Sequence, residues 1–169
     1  MQNIEDKTLL SYMDGLFCYA MFLTRDYASA EDLVQETYLR ALTAKHRLRK
    51  DSNLKTWLFT ILRNVWLNQL RRRRTALKAV DLGIDRVIPN FTAGNSTDPH
   101  MRCASKMESE QVREAINKLP AEFREIIILR EHEELSYKEI ASVLGCPVGT
   151  VMSRLGRARS RLRLLLSRG

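Results

Sequence analysis

The segment SYKEIASVLGCPVGTVMSRLGRARSRL, residues 136–162, decides the fold class of this chain. It opens with a capping box, because the Ser136 hydroxyl and the Glu139 carboxylate stand three positions apart at the start of an apolar helical period. Gly145 ends that helix, since glycine permits the tight turn that follows. Pro147 then begins a second helix at a position that needs no backbone donor. The segment therefore predicts two helices joined by a short turn.

The small, turn and apolar positions in this segment have the spacing of a helix-turn-helix. Ala141 leaves room for the second helix, Gly145 makes the turn and Val151 faces the core. A recognition helix lays the residues near its start along base edges in the major groove. The candidate DNA-binding residues on the exposed side are Thr150, Ser153, Arg154, Arg157 and Arg161. A helical hairpin with a solubilising basic face is the alternative.

Three amphipathic stripes near the start of the chain predict a second helical unit. Apolar residues recur at intervals of three and four from Leu9 to Met21, from Leu33 to Leu42 in a helix that starts at Ser29, and from Leu54 to Val65 in a helix that ends near Arg71–Arg74. Three such stripes can bury one another as a small bundle. The opposite face of the middle helix is polar and carries Asp32, Gln35, Glu36 and Arg40. From helix geometry alone, simple solvation is the plainer interpretation of that face.

A basic loop precedes the third of these helices. Basic side chains beside small polar ones on a loop suit contact with phosphates and unstacked bases. The candidate residues are Arg47, Arg49, Lys50, Ser52, Asn53 and Lys55, and Asn64 on the following helix extends the surface. A merely solvated basic loop is the alternative.

The charge of the chain alternates twice along its 169 residues. Residues 43–78 hold 11 basic groups and 1 acidic group, and residues 140–169 hold 6 basic groups and none that are acidic. Each basic stretch follows an acidic one: residues 1–42 hold 3 basic and 7 acidic groups, and residues 108–139 hold 5 and 9. The net charge of +8 favours a polyanion as partner, either nucleic acid or an anionic membrane surface.

The segment between the two halves contains prolines, glycines and an Asn-Ser-Thr-Asp run without a sustained helical period, which indicates a linker. We therefore expect an all-α chain of two small helical domains, residues 1–78 and 106–169, joined by a flexible linker over residues 79–105.

The sequence lacks the usual signs of a membrane protein or a metalloenzyme. No apolar stretch reaches the roughly 20 residues of a spanning helix, and no signal peptide is recognisable, so we expect a cytoplasmic protein without membrane insertion. The three cysteines make no C-x-x-C pair. His46, His100 and His132 have no metal-binding spacing, so we expect no metal and no cofactor. An enzyme such as a metal-dependent nuclease is therefore the least favoured class of function.

Three segments taken together resemble the extracytoplasmic-function (ECF) sigma factors, group 4 of the sigma-70 family. They are AEDLVQETYLRAL (30–42), NLKTWLFTILRNVWLNQLRRRR (53–74) and LPAEFREIIILREHEELSYKEIASVLGCPVGTVMSRLGRARSRLR (119–163). Members of this family have two helical domains, region 2 and region 4, which bind core RNA polymerase and direct it to promoters. The resemblance covers nearly the whole chain outside the linker.

The resemblance assigns a role to each candidate surface. Asp32, Gln35 and Glu36, with Arg40 beside them, would dock on the coiled-coil clamp of the largest polymerase subunit. The loop from Arg47 to Asn53 would hold a base flipped from the non-template strand of the minus-ten element, with Asn64 contacting neighbouring bases. The helix that carries Arg157 would read the minus-thirty-five element. An anti-sigma factor is the further partner that the resemblance implies, and NLKTWLFTILRN is also similar to the general-stress branch of the family.

A stand-alone helix-turn-helix regulator that binds a palindrome as a dimer is the alternative function. It accounts for residues 119–163 but leaves the basic loop and the polar face of the second helix without a role.

Overall fold

The computed structural model describes residues 6–81 and 109–168, and every regular element in those two ranges is helical. The first unit consists of α1 (Asp6–Leu10), α2 (Met13–Thr24), α3 (Tyr27–Ala44), a 3-10 turn (Lys45–Arg47) and α4 (Leu54–Asp81). The second consists of α5 (Glu110–Asn117), α6 (Ala121–Ile127), a π-helical turn (Ile128–His132), α7 (Tyr137–Leu144) and α8 (Val148–Ser167). The all-α prediction is confirmed, and residues 82–105 of the predicted linker lie outside the described ranges.

Helices α2, α3 and α4 pack against one another as the first unit. Two local predictions need correction here. The N-cap of α3 is Asp26, not Ser29, because the Asp26 carboxylate accepts a hydrogen bond of 2.9 Å from the Ser29 amide. That hydrogen bonding from Ser29 lowers the pKa of Asp26. Helix α4 also continues to Asp81, beyond the predicted end at Arg71–Arg74.

The second unit contains the predicted helix-turn-helix. The Ser136 hydroxyl accepts a hydrogen bond of 3.2 Å from the Glu139 amide, and a carboxylate oxygen of Glu139 accepts one of 2.6 Å from the Ser136 amide. Gly145 adopts the left-handed conformation, with φ of 63°, and Pro147 is the N-cap of α8. The capping box, the end of α7 at Gly145 and the start of α8 at Pro147 all lie where the sequence predicts them.

A π-helical turn that the sequence does not predict directly follows α6. The Glu133 amide donates to the carbonyl of Ile128 at 3.0 Å, five residues back, and the Leu135 amide donates to the carbonyl of Leu129, also at 3.0 Å. Wide turns of this kind inside helices are rare and often lie at functional sites. The turn brings Glu133, whose side chain is only 3% exposed, against the first unit.

The two units pack directly on each other. Helix α4 contacts α7, and α2 contacts α6 and the π-helical turn, so that the buried apolar residues of both units form one continuous core. Arg124 is buried at this junction, where its guanidinium donates to the carbonyl of Phe22 at 3.1 Å and to that of Leu119 at 3.3 Å. Burial and the nearby charge of Arg25 lower the pKa of Arg124 to about 10.

Two carboxylates of the second unit pair with the first unit in this junction. Glu125 accepts a hydrogen bond of 2.6 Å from the Tyr19 hydroxyl and one of 2.8 Å from Nε of Arg63. Burial, reinforced by the charge of Glu125, raises the pKa of Tyr19 well above its ordinary value. Glu133 accepts from Nδ1 of His132 at 2.7 Å and lies 3.2 Å from Nζ of Lys55. Hydrogen bonds and an ion pair therefore join the two units at several points of the junction.

The capping box gives a stability prediction. We expect Ser136→Ala to lower the free energy of unfolding by about 1 kcal/mol, because the Glu139 amide loses its side-chain acceptor. Ser142→Ala is the matched control, since Ser142 is exposed in the middle of the same helix and alanine is the better helix former there. Urea denaturation monitored by far-UV circular dichroism measures both variants. Equal stability of the two would contradict the capping role.

The Glu133 carboxylate gives a pH prediction. Burial alone would raise its pKa, but the hydrogen bond from His132 and the charge of Lys55 lower it overall. A carboxyl with a lowered folded-state pKa stabilises the fold above its unfolded value of about 4.3, and that stabilisation is lost as the pH falls through the folded value. We expect the unfolding free energies of wild type and Glu133→Gln to differ most at neutral pH and to converge in acid. Urea titrations across this pH range test it, and a constant difference would rule out a charged Glu133.

Candidate nucleic-acid interface

The exposed face of α8 carries all five residues predicted for the minus-thirty-five contact. Val151, Leu155 and Ala158 are buried on the opposite face, so the helix is fixed by its apolar stripe. Of the predicted residues, Ser153, Arg157 and Arg161 are exposed, and Thr150 and Arg154 are half-buried. Their spacing of three and four residues keeps them on one side of the helix.

The start of α8 is open for contact with a groove. The Arg154 guanidinium lies 3.9 Å from a carboxylate oxygen of Glu122, too far for a strong pair, and Nε of Arg157 donates to the Ser153 carbonyl at a long 3.4 Å. Val148 is 36% exposed, although it lies only three residues before the buried Val151. Met152 is 55% exposed beside it. Apolar side chains at this position of a recognition helix can contact thymine methyl groups.

The predicted minus-ten residues fall into two groups. Arg47, Arg49, Lys50, Ser52 and Asn64 are exposed, on the loop that precedes α4 and on α4 itself. A backbone hydrogen bond closes a turn within this loop, in which the Ser52 amide donates to the Arg49 carbonyl at 3.0 Å. This first group presents basic and polar side chains to solvent together, as the prediction requires.

The other two predicted minus-ten residues, Asn53 and Lys55, contact the second unit. The side-chain oxygen of Asn53 caps α4 by accepting from the Thr56 amide at 3.1 Å, and its side-chain nitrogen donates to Glu139 at 2.6 Å. Nζ of Lys55 donates to the carbonyl of Glu133 at 2.6 Å. In this arrangement both residues have partners in the second unit, although Asn53 stays exposed and Lys55 is only half-buried.

The polar face of α3 lies where the sequence predicts it. Asp32, Gln35 and Arg40 are exposed and Glu36 is half-buried, on the side away from the core of the first unit. Glu36 and Arg40 form an exposed ion pair of 2.6 Å one helical turn apart. Such pairs contribute little to stability, so both groups can exchange this contact for one with a partner. Leu39, 59% exposed among them, adds an apolar contact that the sequence pattern did not single out.

The contacts that the carboxylates of Glu125, Glu133 and Glu139 make with the first unit are the feature that sequence reasoning missed. One signal was available, because the net negative stretch at residues 108–139 complements the strongly basic stretch at residues 43–78. The charge pattern by itself favours a polyanion partner and does not indicate this contact within the chain. The pairing within the chain depends on tertiary packing that no local period reveals.

Within residues 6–81 and 109–168, no group of three or more His, Cys, Asp or Glu side chains is placed to hold a metal ion. Across the same ranges, the helices are all too short or too polar to span a bilayer.

Comparisons with known proteins agree with the geometry. Residues 9–76 match the family model for sigma-70 region 2, and residues 109–162 match the model for sigma-70 region 4. The chain is 38% identical over 161 residues to the ECF RNA polymerase sigma factor EcfG of Rhodopseudomonas palustris, a match that covers 94% of this chain and 82% of that protein.

Two solved structures are also similar. The sigma factor RpoE from Bartonella quintana, in complex with the anti-sigma factor NepR, matches with a TM-score of 0.73 and 34% identity over 95% of both chains. CnrH, in complex with the cytosolic domain of CnrY, matches with a TM-score of 0.62 and 26% identity over 95% of this chain and 86% of that one. With both helical regions matched and a relative aligned over nearly its full length, this chain belongs to the ECF RNA polymerase sigma factors.

Proposed function

We propose that this chain is an alternative sigma factor that binds core RNA polymerase, recognises promoters in their minus-ten and minus-thirty-five elements, and has no catalytic activity of its own. The observation that carries the proposal is the presence, in one chain of this family, of two separate cationic surfaces and an acidic helix face. The cationic surfaces lie on α8 and on the loop before α4, and the acidic face lies on α3. A dimeric repressor would need only the first of these.

The two cationic surfaces suit different forms of DNA. The open start of α8 suits the major groove of a duplex, where Arg157 and Arg154 can contact guanine or phosphate. The loop from Arg47 to Ser52 is too short to read a groove but suits an unpaired base and its phosphates. Extracting a base from the stack costs a few kcal/mol, so a loop that binds the extracted base favours melting at a chosen position.

The face of α3 is the proposed contact with polymerase. Asp32 and Glu36 supply negative charge, Gln35 supplies hydrogen bonds and Leu39 supplies apolar area at the centre. This mixture of a central apolar side chain with surrounding polar groups is typical of protein interfaces. We propose the coiled-coil clamp of the largest polymerase subunit as the partner of this face.

An anti-sigma factor is the proposed regulator, and the cytoplasm the proposed location. The similar protein RpoE is described as bound to the anti-sigma factor NepR, and the similar protein CnrH as bound to the cytosolic domain of CnrY. An inhibitor that engages both units of a sigma factor would prevent either from reaching DNA or polymerase.

Run-off transcription tests the proposal directly. We expect the purified chain, added to bacterial core polymerase on a library of genomic fragments, to start transcripts at a common promoter sequence that core polymerase alone ignores. Tight binding to a duplex palindrome by a dimer, without polymerase, would instead support the repressor alternative.

Two single substitutions separate the proposed surfaces. We expect Glu36→Ala to weaken binding to core polymerase about tenfold, roughly 1.4 kcal/mol, while leaving promoter preference unchanged. We expect Arg157→Ala to cost about 1–3 kcal/mol in discrimination of the minus-thirty-five sequence without weakening the contact with core polymerase. Fluorescence anisotropy with labelled protein measures the first quantity, and competition run-off assays measure the second.

Matched controls come from exposed residues of the same charge that lie in the second unit, outside the proposed surfaces. Glu114→Ala removes an exposed carboxylate on α5, and Arg163→Ala removes an exposed guanidinium from another side of α8. Neither control is expected to change polymerase affinity or promoter choice by more than about twofold, as is usual for exposed sites away from an interface. If Glu36→Ala and Arg157→Ala lowered core affinity equally, the division of surfaces would be wrong.

A further inference from the structure

A line of small residues runs along the middle of the exposed face of α8. Its members recur at intervals of four, three and four residues, which keeps them on one side of the helix. They are Gly149, Ser153, Gly156 and Ser160, and all four are exposed. A Cβ atom at either glycine would have no heavy atom within 4 Å, so both positions face open space in the described part of the chain. Without bulky side chains along this line, the helix backbone can come close to the floor of a groove.

The two flanks of this small line differ in chemistry. One flank is basic, with Arg157 and Arg161 following Thr150 at helical spacing. The other flank is apolar in its first two turns, because Val148 and Met152 lie one turn apart and are 36% and 55% exposed. The recognition helix therefore presents a polar side and an apolar side at the same end.

An ion pair bounds the apolar flank. Arg159 is the next residue along it, and Nε of Arg159 donates to a carboxylate oxygen of Glu131 at 3.0 Å. The guanidinium thus has a partner in the π-helical turn, on the side away from the start of α8. The apolar pair of Val148 and Met152 is left as a separate patch at the end of the helix that leads into a groove.

The surroundings of this apolar pair favour DNA as the group that covers it. Single exposed apolar residues are common on protein surfaces and need no partner, but these two are adjacent and lie in the first two turns of a recognition helix. Helix α8 contains five arginines and no acidic residue, so the charge around the pair suits a polyanion. Among the groups that base edges present in the major groove, the apolar one is the C5 methyl of thymine.

Resting on the proposed function, we propose that Met152, with Val148 beside it, recognises thymine in the minus-thirty-five element by packing against the C5 methyl group. Arg157 on the opposite flank contacts the neighbouring base pairs or phosphates. Sequence preference in this element is then divided between a polar contact and an apolar one, and the small line between them lets both reach the base edges.

Methionine suits this contact for a physical reason. Its side chain is unbranched, has three rotatable bonds and carries a polarizable sulfur, so it can adapt to the outline of a methyl group. Burying one methyl group from water changes a binding constant by about three- to fivefold. The methyl group takes no part in hydrogen bonding, so the arginines of α8 do not detect its loss directly.

Replacing single thymines by deoxyuridine tests the contact, because this removes the methyl group and leaves every hydrogen-bonding atom of the base in place. The probe is the duplex promoter identified by run-off transcription, and the protein is the full chain bound to core polymerase. We expect at least one thymine of the minus-thirty-five element, on either strand, at which deoxyuridine weakens the promoter complex about three- to fivefold. Competition run-off between the two templates, distinguished by transcript length, measures the ratio.

The variant Met152→Ala identifies the side chain that detects the methyl group. We expect it to use the thymine and deoxyuridine templates equally at the position where wild type distinguishes them. Met152 is exposed and alanine is a strong helix former, so the substitution leaves α8 intact. Leu164→Ala is the matched control, since it removes an apolar side chain that is 54% exposed on the same helix, about three turns further along. This control is expected to keep the full methyl effect.

Three results would overturn the inference. The first is a promoter whose minus-thirty-five element has no thymine on either strand, or in which deoxyuridine has no effect at any position. The second is a methyl effect of equal size in wild type and Met152→Ala, because another side chain would then make the contact. The third is a Met152→Ala variant that binds core polymerase more weakly and keeps its methyl discrimination, which would assign the residue to a protein contact.

Failure of the inference is distinguishable from failure of the proposed function. Wild type that supports run-off transcription but does not distinguish thymine from deoxyuridine would remove the methyl contact and leave the sigma-factor assignment intact. Wild type that gives no transcription with core polymerase would remove the assignment itself.

Discussion

The buried carboxylate of Glu133 is the constraint on which the arrangement of the two units depends. A charge with 3% exposure must be compensated where it lies, and here the compensation comes from His132 beside it and from Lys55 across the junction. The π-helical turn puts Glu133 in this position, and Gly15 leaves space for it. Three features that look independent in the sequence therefore serve one contact.

The apolar core shows why the two units associate at all. Units of this size bury a smaller fraction of their surface than larger domains do, and each has only a modest core of its own. Packing α4 on α7 and α2 on α6 joins the two cores into one. The stabilisation that comes from apolar burial is non-directional. The polar contacts around Glu125, Glu133 and Arg124 therefore fix the relative orientation of the units.

Local signals predicted most of the fold, because they depend on a few neighbouring residues. The capping box at Ser136, the glycine stop at Gly145 and the apolar stripe of α8 each have a cause within one or two helical turns, and each was confirmed. The shift of the α3 cap to Asp26 is a choice between nearby oxygen acceptors, which the sequence alone leaves ambiguous. The π-helical turn and the burial of Glu133 are tertiary effects, so periodicity could not reveal them. The exposed part of each candidate surface was predictable for the same reason, whereas the contacts of Asn53 and Lys55 with the second unit were not.

The polar contacts between the two units are also selective. The carboxylates of the second unit bind donors at the start of α4, while Arg157 and Arg161 on α8 and the face of α3 stay exposed in the same structure. The packing of the two units therefore leaves the proposed duplex-reading and polymerase-binding surfaces accessible. Because Arg47, Arg49 and Lys50 also stay exposed, most of the basic loop before α4 is accessible in the same arrangement.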